Sequence, residues 1–214
     1  MCILIDLLGE NMEKIEQSKN IKVFWILIII NIIMSIADII FTYIGSPDLS
    51  IEGNPLVYVF GLSWKSLIIL SIIFLVIIIA LLYYSFFRFN RIRINCEGLR
   101  QYISILFYNR PDKIIWIFYK FPNNKSGLSY FFASLGCVLA VVIPIGKLFA
   151  VFLWIGTINN LSIVNYYHNN FNIIMTPLGR ADILIGGIIL AILIWYHWFF
   201  KEYKINKKAL ENIV

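Results

Sequence analysis

The chain has 214 residues, 60% of them hydrophobic and only 14% charged, with a formal net charge of +6. Soluble domains run at roughly 45–50% apolar and about 25% charged residues, and a chain this short cannot hide the surplus from water. An ordinary soluble domain is therefore excluded. The basic residues flank apolar runs instead of gathering on a soluble face, so the charge reads as membrane topology and no nucleic-acid partner is expected. With no closed-barrel pattern, helices are the only way across a bilayer. The expected fold is all-α, a polytopic membrane protein with four transmembrane helices.

Residues 1–22 are expected to form a cytoplasmic N-terminal segment. Met1–Gly9 is mildly apolar but too short to span, and the flanks of a signal peptide are missing. Met12 offers an alternative start. Residues 23–87 read as a transmembrane hairpin. Val23–Ile44 spans about 33 Å at 1.5 Å per residue, against a hydrocarbon core of about 30 Å. Gly45, Ser46 and Pro47 end it. The turn over 45–63 contains Asp48 and Glu52 but no Lys or Arg. Trp64–Phe87 is the second span, and Tyr83, Tyr84, Phe86 and Phe87 close it as an aromatic belt.

Residues 88–126 carry eight basic residues among Ile, Phe, Tyr and Trp, and no run there is long enough to cross. Leu99, Ile103 and Leu106 make one helical stripe. Asp112, after Pro111, marks the start of a short element over Lys113–Phe121. The segment reads as interfacial, basic and aromatic, lying on anionic headgroups, or as a loop packed on the bundle.

Residues 127–200 form the second hairpin. Its first span, Gly127–Gly156, has Pro144 and Gly146 at its expected bend. Ser129, Ala133, Gly136, Ala140, Pro144 and Lys147 share one face, and small residues at that spacing permit close helix contact in lipid. A polar loop with His168 and Arg180 precedes the fourth span, Asp182–Phe200. Residues 201–214 make a basic tail. From the N-terminus onward, the non-membrane segments hold three, none, eight, one and four Lys or Arg. The positive-inside rule then places both termini and residues 88–126 in the cytoplasm of a cell (plasma or inner) membrane protein.

Asn31, Ser35, Asp38 and Thr42 lie at i, i+4, i+7 and i+11, on one face of the first span. Asp38 sits six residues from the outer end, roughly 9 Å in. An ionised Asp near mid-membrane costs about 2.5–3.5 kcal/mol, so it needs a partner, water or a proton. Lys147 lies at similar depth in the third span, and Lys65 at the rim is the rival. The candidate binding residues are Asn31, Ser35, Asp38, Thr42, Glu52, Asn54, Lys65 and Lys147. A purely structural account makes Asp38 and Lys147 a register-fixing pair. In that account Asn54 caps the second helix before Pro55. Cys2, Cys96 and Cys137 are scattered, and neither they nor the histidines have metal-ligand spacing, so no metal and no cofactor are expected.

Asp38-x-x-x-Thr42, then Glu52-Gly53-Asn54-Pro55-Leu56, then Lys65 resembles an uncharacterised prokaryotic integral membrane family. Its members share an Asp-x3-Thr helix, a Glu-x-Asn-Pro turn and a Lys-bearing second helix. The resemblance covers residues 25–85. It implies a membrane location and a shared polar site, with no established activity to carry over.

The expected role is non-catalytic, binding or moving a small ion, small molecule or lipid headgroup at an outward-facing polar site. The alternatives are a membrane enzyme acting on a lipid-linked substrate, with Glu52 or Asp38 as acid-base, and an assembly subunit. The expected partners are membrane lipids and a packing helix, including another copy of the chain.

Overall fold

A computed structural model describes residues 2–49, 57, 60–118, 120–164, 175–176 and 179–211. The long elements are helices: α1 (Cys2–Gly45), α2 (Trp64–Tyr83), α3 (Leu99–Tyr108), α4 (Lys125–Ile158) and α5 (Ala181–Glu211). A π-helical turn, Tyr84–Arg88, prolongs α2, and a 3-10 turn covers Ile114–Phe118. A two-residue antiparallel pairing, Met175–Thr176 with Gly179–Arg180, precedes α5. Among the described residues, four helical stretches are long and apolar enough to cross a membrane: Ile21–Gly45, Trp64–Arg88, Lys125–Ile158 and Leu184–Glu211.

Side-chain placement is inverted relative to a soluble protein. Ile29, Ile33 and Ile36 of α1 are more than half exposed, as are Ile69, Ile72 and Val76 of α2. On α5, Ile185, Ile189, Ile192 and Leu193 point outward in the same way. Asn31, Ser35 and Thr42 are buried instead. Apolar surface on this scale is stable only in lipid.

The helices alternate in direction. Trp64 Nε1 donates to the Pro47 carbonyl at 2.7 Å and its ring meets Tyr43, joining the end of α1 to the start of α2. At the other end Phe24 packs on Tyr83, Phe86 and Phe87. Helix α4 runs through the middle, against α1, α2 and α5. Its small residues permit this. A Cβ on Gly136 would lie 2.5 Å from the Leu81 carbonyl oxygen, and Ala133 and Ala140 are wholly buried. The face expected to pair with another helix thus pairs inside the chain, with α2 and α1.

The helices run past the ends expected from hydropathy. Helix α1 begins at Cys2, upstream of the span, and α5 continues to Glu211 through the expected tail. The extension of α5 has a use. Phe199, Glu202 and Asn206 are buried at helical spacing and receive residues 88–108. Arg91 grips the Glu202 carboxylate through two hydrogen bonds, at 2.7 and 3.0 Å. Asn206 accepts from the Ile94 amide at 2.9 Å and donates to the Ile94 carbonyl at 2.8 Å.

Helix α3 completes this cap. Ile103 and Leu106 of the expected stripe are buried, with Leu99 packed against them, in a cluster that includes Tyr102, Phe107, Tyr130 and Phe199. Asn109 ends the helix in the left-handed conformation, at φ 54°, that Asn tolerates. Residues 88–108 are thus folded against the bundle. The expected element over Lys113–Phe121 is a 3-10 turn, and Trp116 there lies near three cations, Lys120 Nζ being 3.8 Å from its ring centroid.

Candidate functional site

Helices α1 and α4 meet along a polar seam. Proline has no N–H, so Pro144 leaves the carbonyl of Ala140 without its intrahelical donor. Asn31 supplies the missing hydrogen: its Nδ2 donates to Ala140 O at 2.8 Å, and also to Leu27 O on its own helix at 2.9 Å. A neighbouring helix re-satisfying a carbonyl freed by proline is how bilayers tolerate the residue.

The seam continues one turn along. Ser35 Oγ donates to the Asn31 carbonyl at 2.7 Å and accepts from Lys147 Nζ at 2.8 Å. The chain of bonds starts on α4 at Lys147, crosses to Ser35 and Asn31 on α1, and returns to α4 at Ala140. It brackets Pro144 on both sides.

Asp38 lies one turn beyond Ser35 on the same helix and is half-buried. Among the described residues, the hydrogen bond of Lys147 goes to the Ser35 hydroxyl and not to a carboxylate. Thr42 is buried on the same face, and its carbonyl accepts from the Ser46 amide where α1 ends. Gly45 lies against the Trp154 ring, where any larger side chain would collide.

The structure therefore brings Asn31, Ser35, Asp38 and Lys147 together, with Thr42 one turn on. Lys65 stands exposed at the start of α2. Glu52, Asn54 and His168 lie outside the described residues. Among the described residues no three His, Cys, Asp or Glu side chains gather to hold a metal ion. Cys96 and Cys137 are free thiols, and Cys137 Sγ lies 3.1 Å from Ser85 Oγ.

Sequence reasoning placed Asn31 on the right face and missed its task, although Pro144 marks an orphaned carbonyl in any helix. It also missed the docking of Ile94 on Asn206, whose signal was the helical period of Phe199, Glu202 and Asn206 beyond the apolar run. No family model matches the chain, and no curated protein or solved structure does either.

Proposed function

We propose that the chain is a multi-pass cell-membrane protein, with both termini and residues 88–126 in the cytoplasm. It binds or moves a small ion, a small polar molecule or a lipid headgroup at the seam of Asp38, Ser35 and Lys147. One observation carries this reading: Lys147 on one membrane-spanning helix bonds the Ser35 hydroxyl of the next at 2.8 Å, one turn from the half-buried Asp38. Ionisable groups inside a membrane are costly and are by default functional. The distribution of Lys and Arg supports the orientation, which puts this end of the bundle on the outside. Glu52, Asn54 and Lys65 belong to the same rim in this proposal.

Asn31 has a structural task that needs no ligand, so the proposal rests on Asp38 and Lys147. The test is a thermal-shift screen of purified wild type and Asp38→Asn against monovalent and divalent cations, small anions and soluble headgroup alcohols, with growth of a strain carrying the variant. A ligand at about 100 times its Kd stabilises the wild type by about 2.7 kcal/mol and leaves Asp38→Asn unmoved. A variant that folds, grows normally and responds to every compound as wild type does would overturn the reading.

A further inference from the structure

At the opposite end of α4 lies a surface of different chemistry. An open groove of about 430 Å³ runs between the end of α2 and the start of α4. Its walls are Ala80 and Leu81 on one side and Leu128 and Phe132 on the other. Its floor is closed by a hydrogen bond between Tyr84 Oη and Ser129 Oγ, 2.8 Å long. Lys125, exposed and without an ion pair among the described residues, stands at its mouth as the first residue of α4.

We propose that this groove binds one anionic phospholipid, an acyl chain lying along Leu81, Leu128 and Phe132 and the phosphate on the Lys125 ammonium. Lys125 and Phe132 are two turns apart, about 10 Å along the helix, which matches the upper part of an acyl chain below its headgroup. The groove opens on the outside of two membrane-spanning helices, where lipid is the neighbouring medium. The charge is complementary: Arg88 ends the π-helical turn that prolongs α2 on the other side of the groove. Gly136 lets α4 approach the α2 backbone at Leu81 and Leu82, and the groove lies beside that contact, with Leu81 in its wall.

Nothing in this inference depends on Asp38, which lies toward the far end of the bundle. The test is native mass spectrometry of the full chain, titrated with equal amounts of phosphatidylglycerol and phosphatidylcholine in a neutral detergent. The wild type retains phosphatidylglycerol preferentially. Lys125→Gln lowers that preference about fivefold, the factor expected from one lysine at an anionic surface. Leu128→Trp fills the groove and lowers retention of both lipids. Lys207→Gln, on the exposed end of α5, leaves the preference unchanged. The proposal is overturned by a wild type with no preference or by Lys125→Gln keeping it. It is equally overturned by Lys207→Gln losing as much, which would mean diffuse charge.

Discussion

The side-chain amide of Asn31 donates to the main-chain carbonyl of Ala140, 2.8 Å away and four residues before Pro144. Asn31→Leu removes that donor and strands the carbonyl in an apolar surrounding. The expected loss is about 1–2 kcal/mol in a denaturation assay in detergent. Pro144→Ala restores an intrahelical donor to Ala140, so in that background Asn31→Leu should cost less than half as much. Strictly additive losses across the four variants would show that the two residues do not share the carbonyl.

Gly136 faces the backbone of Leu81 and Leu82, with no room for a methyl group. Gly136→Ala forces α2 away from α4 and should cost about 1–3 kcal/mol, the usual penalty for overpacking. Gly146 has open space around its Cβ position, so Gly146→Ala in the same helix should fold as wild type. Equal melting temperatures for Gly136→Ala and wild type would refute the close approach.

The segment around Ile94 is held to α5 by both polar atoms of the Asn206 side chain. Asn206→Leu leaves the amide and carbonyl of Ile94 without those bonds, at about 1–3 kcal/mol. Arg91→Ala leaves the Glu202 carboxylate, whose side chain is 4% exposed, without its guanidinium. Because Arg91 is itself half exposed, that loss is at the lower end of the range. Both variants should speed hydrogen exchange over residues 88–98 and leave α1 and α2 protected. Unchanged exchange in that segment would contradict the docking.

Burial pushes the Tyr102 phenol well above its ordinary value of 10.0, with its hydrogen bond to Tyr130 acting in the same direction. A raised value means that the neutral form is favoured by the fold. That stability is fully present below pH 10 and is lost as pH rises beyond it, because the unfolded chain ionises first. The cap should therefore open in alkali. Tyr102→Phe should shift that opening upward, monitored by phenolate absorbance and near-ultraviolet dichroism. An unshifted midpoint would assign the alkaline transition to another group.

Composition and hydropathy alone settle that the chain contains four helices able to cross a membrane, because lipid offers the backbone almost no other solution. The face shared by Asn31, Ser35, Asp38 and Thr42 was equally readable, since helical period is a local property. The ends of α1 and α5 were less readable, because their extensions lie outside the apolar windows and α5 is held by residues 88–108 from elsewhere in the chain. The pairing of Asn31 with Ala140, of Lys147 with Ser35 and of Asn206 with Ile94 was decided only by tertiary structure. Each joins residues more than a hundred positions apart, and no local pattern in the sequence says which two distant segments will lie side by side. The helices follow from what each segment must hide, and the seam follows from which segment happens to lie beside the carbonyl that Pro144 sets free.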